Sequence, residues 1–90
     1  MTPYRFSVSV MPRDGMLDPQ GKALESSVAS AGMAVVHDVR VGRRVELTVD
    51  ADDDHRARSV VERLASELLA NPLVETWTIE ELALPEVSPR

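Results

Sequence analysis

Hydrophobic and polar residues alternate along four short segments of the chain, which is the pattern of strands with one buried face. In the first segment Tyr4, Phe6, Val8 and Val10 share one face, while Arg5 and two serines occupy the other. The spacing predicts strands over residues 4–11, 35–41, 45–51 and 73–82.

Two segments with helical spacing lie between these strands. Asp18 and Pro19 are typical of an N-cap and a first helical residue, because aspartate accepts amide hydrogen bonds and proline has no N–H to satisfy. Leu24 and Val28 follow on one face, and Gly32 predicts a left-handed C-terminal cap.

The second helix opens at the three aspartates 52–54 and has a broader apolar stripe. It is expected to end at Asn71, since the residue before a proline avoids the α-helical region. The stripe consists of Ala57, Val60, Val61, Leu64, Ala65, Leu68 and Leu69.

Side-chain direction sets the register expected for the second and third strands. In an antiparallel pair, opposed residues point to the same face. A two-residue loop would place apolar residues opposite charged ones, whereas a three-residue loop places Val41 opposite Val45 and Val39 opposite Leu47. The sequence therefore predicts a hairpin with an odd-length loop at residues 42–44.

The predicted element order is βαββαβ. With short links and right-handed crossovers, this order gives an α+β fold, the ferredoxin-like sandwich, with a four-stranded antiparallel sheet and two helices on one face. We expect a single domain over residues 1–82 and a proline-containing tail over residues 83–90. The exposed face of the sheet would carry Ser7, Ser9, Arg40, Glu46, Thr48 and Thr76.

Composition excludes several classes of function. The 90 residues include 10 Lys+Arg and 15 Asp+Glu, a net charge of −5, and no cysteine. An acidic chain lacks the basic face that nucleic-acid binding requires, and without cysteine there is no disulfide, thiolate metal site or thiol nucleophile. No apolar run approaches the roughly 18 residues of a membrane span, so we expect a cytoplasmic protein.

Motifs for metal binding and catalysis are weak. Asp50, Asp52 and Asp54 begin like a calcium loop, but His55 stands where glycine is needed and Val61 where glutamate is needed. Acidic residues at a helix N-terminus are already explained by the helix dipole. No metal ligand is therefore expected.

The other candidate groups have structural interpretations. His37 lies on the core side of its predicted strand, away from His55, and is expected to be a partly buried structural histidine. The chain contains neither a GxSxG elbow nor a glycine-rich phosphate loop. No catalytic residue is predicted.

Three segments are more specific than the fold demands: residues 17–22 (LDPQGK), 38–44 (DVRVGRR) and 68–75 (LLANPLVE). Gly21 in a first helical turn costs about 1 kcal/mol relative to alanine, which the close approach of another backbone would compensate. The three arginines of the second segment form either a solvated strand edge or a docking site for an acidic or phosphate-bearing surface. For each segment, structural and interface roles both remain open.

Taken together, in this order and spacing, LDPQGKA, DVRVGR and LLANPLVE resemble the PurS family, the small subunits of phosphoribosylformylglycinamidine (FGAM) synthase. The similarity extends from about Tyr4 to Glu81. Arg13 and Arg43 stand where family members often have lysine, so the positive charge is kept.

The resemblance implies a subunit of an ATP-dependent, glutamine-hydrolysing ligase of purine biosynthesis. In such complexes a large subunit uses ATP and magnesium to activate formylglycinamide ribonucleotide, and a second subunit hydrolyses glutamine. A dimeric small subunit, which binds no cofactor itself, bridges the two and assists ammonia transfer. By analogy, the expected contact positions are Asp18, Gln20, Gly21, Lys22, Arg40, Gly42, Arg43 and Asn71.

Two alternatives come from other functional classes. A small-molecule-sensing regulatory domain of the same topology would hold its ligand at a dimer seam near Gly15 and Gly32. A small acyl-phosphate or phosphate-ester hydrolase would need a glycine-rich arginine loop, which has no counterpart in this sequence.

Overall fold

The computed structural model describes residues 1–84 of the chain. Its strands form one antiparallel sheet in the order β2-β1-β3. The elements are β1 (Thr2–Pro12), α1 (Pro19–Ser30), β2 (Arg43–Ala51), α2 (Asp54–Leu64), a π-helical turn (Ala65–Leu69) and β3 (Glu75–Leu82).

The central strand β1 carries the core of the molecule. Phe6, Val8 and Val10 are fully buried, which confirms the alternation seen in the sequence. Val8 lies opposite Val45 of β2 and Ile79 of β3, so three apolar side chains cross the sheet in one row. Such rows point to one face, and this face needs a covering layer.

The helix α2 and its π-helical turn supply that layer. Asp53 is the N-cap and accepts a hydrogen bond from the Arg56 amide at 2.8 Å, as expected for an aspartate cluster at a helix start. Ala57, Val61 and Ala65 are fully buried against the sheet. One α-helix, rather than two, therefore covers the apolar face.

The helix α1 forms as predicted but lies elsewhere. Asp18 caps it, Pro19 is its first residue, and Gly32 adopts the left-handed conformation with φ = 87°. Yet α1 has only sparse contact with the sheet, and the Leu24 side chain is 49% exposed. The prediction that both helices cover one face of the sheet is therefore wrong for α1.

The predicted strand over residues 35–41 does not form. The Val36 amide donates to the Met33 carbonyl in a turn, and Asp38 has a positive φ of 57°, so the segment cannot be continuously extended. Residues 39–42, which we call the arm, lead without a turn into β2. The four-stranded sheet and the hairpin loop at 42–44 are therefore corrected to a three-stranded sheet whose β2 pairs with β1.

Several smaller expectations are also corrected. His37 is exposed, because the strand that would have buried it is absent. Ser7, expected on the exposed face, is only 2% accessible, since it sits in the central strand between two neighbours. The last strand begins at Glu75 rather than at residue 73, and the preceding helix ends at Leu69 rather than at Asn71.

Two further points concern the chain ends and membranes. The predicted tail begins at Ala83, and its residues 85–90 lie outside the described part of the chain. Within residues 1–84, no helix has the length and apolar character needed to cross a membrane.

Candidate interface site

The three specific segments of the sequence converge on one end of the sheet. There, an open cavity of about 910 Å³ lies between the start of α1, the arm and the start of β3. Its walls are Pro12 and residues 16–20, 41–43 and 74–75. Distant parts of the sequence thus meet where β1 ends.

Asp18 holds the first segment to the second. One carboxylate oxygen accepts the Gly21 amide at 2.9 Å as the helix cap, and the other accepts the Val41 amide of the arm at 2.9 Å. These two amide hydrogen bonds lower the pKa of Asp18, because they stabilise its charged form. A single side chain therefore fixes both the start of α1 and the path of the arm.

We call the place where the start of α1, the arm and the start of β3 meet the junction. Gly21 and Gly42 permit close backbone approaches there. A Cβ on Gly21 would lie 2.5 Å from the Val39 carbonyl oxygen and would also collide with the Asp18 carboxylate. A Cβ on Gly42 would collide with the Val10 carbonyl at the end of β1. The expected compensation for a glycine in the first turn of α1 is confirmed: another backbone passes there.

Arg43 joins the second segment to the third. Its guanidinium donates to both carboxylate oxygens of Glu75, at 2.8 and 3.0 Å, and to the Leu69 carbonyl at the helix end. The Arg43 hydrogen bond is the main reason that the pKa of Glu75 is lowered, and the Asn71 amide adds to the effect. Asn71 also accepts from the Leu73 amide at 3.2 Å, which explains an asparagine beside the proline.

The eight expected contact residues thus divide into two groups. Asp18, Gly21, Gly42, Arg43 and Asn71 have roles within the chain that shape the junction. The side chains that project from it are those of Gln20, Lys22 and Arg40, of which Arg40 has an exposed ion pair with Asp14 at 3.0 Å.

Sequence reasoning missed three polar residues of this junction. Glu25 accepts a hydrogen bond from the Val39 amide at 3.3 Å, and Arg13 donates to the Pro72 carbonyl at 2.7 and 3.0 Å. The Glu75 carboxylate accepts hydrogen bonds from Arg43. Each bond links positions far apart in the sequence. Two of them carried a signal in the sequence: position 13 by the family's positive charge, and Glu75 as the last residue of the third segment.

The remaining candidate groups lie apart from the cavity or already have partners. Among the aspartates 52–54, Asp53 caps α2 and Asp54 binds Arg58 at 3.3 Å. Gly15 and Gly32 serve turns with positive φ, and nothing lies within 4 Å of a Cβ built on either. Across residues 1–84, no cluster of three potential metal ligands occurs. The junction offers apolar walls and a neutralised ion pair, an arrangement suited to binding.

Comparison with known proteins decides the family. The model of the PurS family, described as phosphoribosylformylglycinamidine (FGAM) synthase, matches residues 5–83. The chain belongs to the PurS family. PurS proteins are subunits of FGAM synthase, and the chain is therefore a subunit of this purine-biosynthetic enzyme.

Individual PurS proteins support this assignment over nearly the whole chain. The PurS subunit of Mycobacterium leprae is 41% identical over 75 residues, which cover 83% of this chain and 91% of the relative. The crystal structure of Thermotoga maritima PurS superposes with a TM-score of 0.83 at 30% identity, covering 90% of this chain and 93% of that one. PurS in the PurLQS structure of the same organism gives a TM-score of 0.84 at 30% identity, covering 91% and 100%.

Proposed function

We propose that the chain is the non-catalytic assembly subunit of the FGAM synthase complex, bridging the synthetase and glutaminase subunits and assisting ammonia transfer. The observation that carries this proposal is the match of the whole fold to PurS within a structure of PurLQS. The residues of the junction support the proposal, because they hold α1, the arm and the end of β1 together and leave side chains exposed for contact with a partner.

The proposed role has a physical rationale. Ammonia loses its nucleophilic lone pair on protonation, so it must pass between two active sites without meeting bulk water. A glutaminase of this type needs a cysteine nucleophile, and this sequence has no cysteine. ATP chemistry needs a phosphate cradle with metal ligands, and the sequence has no glycine-rich phosphate motif. Holding larger subunits together requires neither.

The contact surface proposed for the partners is the junction itself. Gln20, Lys22 and Arg40 project from it, and the rigid backbone beneath them is set by Asp18 and Gly21. Two positive charges suit an acidic patch on a partner. ATP and magnesium would be held by the large synthetase subunit, and the complex would work in the cytoplasm.

Self-association as a homodimer is part of the proposal. The Cα radius of gyration is 17.2 Å, whereas a compact domain of this length has roughly 12 Å. The helix α1 also supports self-association, because its apolar stripe stays exposed in a single copy.

The proposed function is tested by reconstitution. We expect glutamine-dependent FGAM formation when the purified synthetase, glutaminase and this chain are mixed, and its loss when this chain is left out. Ammonia-dependent activity of the synthetase should persist in both mixtures. Full glutamine-dependent activity without this chain would contradict the proposal.

A charge reversal tests the contact surface. Lys22→Glu should weaken assembly and raise the concentration of this chain needed for half-maximal turnover. Arg56→Glu is the matched control, because Arg56 lies in α2 and its side chain is 70% exposed. Equal effects of the two variants would show that the junction is not the contact surface.

A further inference from the structure

A smaller cavity opens beside the junction, on the sheet face that α2 does not cover. Its volume is about 380 Å³. The residues that line it are Pro12, Arg13, Asp14, Arg40 and Thr76. Thr76 lies opposite Met11 in the sheet, and Met11 points away from the buried side chain of its neighbour Val10. Four of the five lining side chains are polar, so this cavity differs in character from the apolar one at the junction.

Arg13 is held in place without losing its charge. Its guanidinium donates twice to the Pro72 carbonyl, at 2.7 and 3.0 Å, and its backbone amide donates to the Val74 carbonyl at 2.8 Å. A carbonyl oxygen accepts hydrogen bonds but carries no net charge. Within residues 1–84, no carboxylate lies within ion-pair distance of Arg13. Its position is therefore fixed while its positive charge stays uncompensated.

Arg40 has a single counter-ion at the cavity. One terminal nitrogen donates to the Asp14 carboxylate at 3.0 Å, and the Asp14 side chain is fully exposed. An exposed ion pair of this kind contributes little to stability, because water screens both charges. Asp14 can therefore turn into solvent and leave the Arg40 guanidinium to another anion.

A third arginine adds positive charge to this end of the sheet face. Arg44 lies opposite Ser9, on the same face as Thr76. In the part of the chain that the structure describes, no carboxylate is within ion-pair distance of Arg44. The next residue on this face of β2, Glu46, already forms an ion pair with Arg5 at 3.2 Å.

The charge around the cavity is therefore positive, although the chain as a whole has a net charge of −5. Three guanidinium groups face the one carboxylate of Asp14. The next acidic residue on this face of β3 is Glu80, four positions beyond Thr76 and thus about 13 Å away. That distance exceeds the Debye length of about 8 Å at physiological ionic strength, so Glu80 compensates little of the charge. The cavity is suited to an anion.

We propose that this cavity binds a phosphate dianion, either inorganic phosphate or the phosphate group of a phosphomonoester. The inference goes beyond the proposed function, which assigns no ligand to this chain. A tetrahedral phosphate offers oxygen atoms to two guanidinium groups and to the Thr76 hydroxyl at once, whereas a carboxylate has only two oxygens. No aromatic side chain lines the cavity, and its volume is small for a ligand site. It therefore recognises the phosphate and not an attached base.

Each lining side chain has a distinct part in this binding. Arg13 supplies donors on the terminal nitrogen that does not face Pro72 alone, from a guanidinium already held by the backbone. Arg40 exchanges Asp14 for the phosphate, and the exposed Thr76 hydroxyl donates from β3. Arg44 acts at longer range, by raising the positive potential of the sheet face.

Titration of the full chain tests the proposal. Inorganic phosphate is added at low ionic strength and neutral pH, and NMR follows the backbone amides of Arg13, Asp14 and Thr76. We expect saturable shifts with a dissociation constant in the millimolar range or below, weakened several-fold at high salt because screening reduces the attraction. Absence of saturable shifts at these amides would overturn the proposal.

Two substitutions and a matched control locate the site. Arg13→Gln and Arg40→Gln should each weaken phosphate binding about tenfold, because each removes one charged donor. Since Arg13 also holds the Pro72 carbonyl, Arg40→Gln carries the test if the other variant unfolds. Arg56→Gln, at a 70% exposed side chain of α2, should bind phosphate as the natural chain does. An equal loss in Arg56→Gln would reveal unspecific attraction and overturn the proposal.

Further ligands distinguish the sources of the phosphate. Tighter binding of ribose 5-phosphate than of inorganic phosphate would assign a phosphomonoester, and equal or weaker binding would assign free phosphate. Ribose without a phosphate should produce no shifts. Acetate binding as tightly as phosphate would refute the proposal in favour of an acidic side chain from a protein partner. Because these measurements use the chain alone, failure of the chain to restore glutamine-dependent turnover would refute the proposed function without affecting them.

Discussion

The sheet with α2 and the unit formed by α1 and the arm are stabilised in different ways. In the first region apolar side chains close over Phe6, Val8 and Val10, all fully buried. In the second, the carboxylates of Asp18 and Glu25 accept hydrogen bonds from backbone amides, while the large apolar residues stay exposed. The first region is therefore stabilised by a buried apolar core, whereas the second leaves its large apolar side chains exposed in a single copy.

The largest expected effect comes from the core of the first region. Phe6→Ala should lower the free energy of unfolding by about 3–5 kcal/mol, because it removes a fully buried ring and leaves a cavity. A chain of this length has only about 5–13 kcal/mol of stability in total. Urea denaturation monitored by circular dichroism measures the change.

Leu24→Ala is the matched control for that substitution. In a dilute, monomeric sample it should change stability by less than about 0.5 kcal/mol, because the Leu24 side chain is 49% exposed. Its effect should grow with protein concentration if a second copy covers α1. A loss as large as that of Phe6→Ala at high dilution would contradict the division into two regions.

Gly42→Ala should have an intermediate effect, where the two regions meet. Its new Cβ would collide with the Val10 carbonyl, which is backbone and cannot rotate away. We expect about 1–3 kcal/mol of destabilisation, the usual range for overpacking. Hydrogen exchange should show faster opening of the amides of Val39 and Val41 than of the amides in the centre of β1.

The control for Gly42→Ala is Ser26→Ala in the exposed part of α1. It should leave exchange at the arm unchanged. Equal exchange at the arm and at the centre of β1 in Gly42→Ala would show that the two regions open together.

Much of the first region could be predicted from the sequence, because its signals are local. The alternation around Phe6 and the helix start at the aspartates 52–54 are confirmed there, and in the second region so are the Asp18 N-cap and the left-handed Gly32. Each depends on neighbours only a few residues away.

The arm could not be predicted, because its alternation has the same period in a hairpin and in a straight extension. Only the backbone at Asp38, with its positive φ, and the straight passage through Gly42 distinguish the two. The convergence of three segments on one cavity depends on Arg43 reaching Glu75, 32 positions away, which no local pattern encodes.

The attachment of the arm should depend on pH through Asp18. Its pKa is lowered by the amides of Gly21 and Val41, so the folded state binds fewer protons than the unfolded state as the pH falls. The contribution of Asp18 to the free energy of unfolding is fully present above the ordinary aspartate pKa of about 3.9. It is lost as the pH falls through the lower pKa that Asp18 has in the folded state. NMR shifts of the Gly21 and Val41 amides should follow this titration.

Asp18→Asn provides the control for the pH response. It keeps an acceptor for the helix cap but cannot titrate, so the acid transition at these two amides should disappear. A transition of unchanged position in Asp18→Asn would show that the effect does not come from Asp18.

The smallest effect is expected for Arg43→Lys, which probes the link between the arm and the third segment. Lysine keeps the charge but cannot donate in parallel to both oxygens of Glu75. Because the Arg43 side chain is half exposed, solvent screens the pair, and Tm should fall by only a few degrees. Hydrogen exchange should show the loss of geometry more clearly. The Asn71 amide also donates to the Glu75 carboxylate and should therefore exchange faster with solvent. A fall in Tm larger than that of Gly42→Ala would mean that the ion pair, rather than the close backbone contact, joins the two regions.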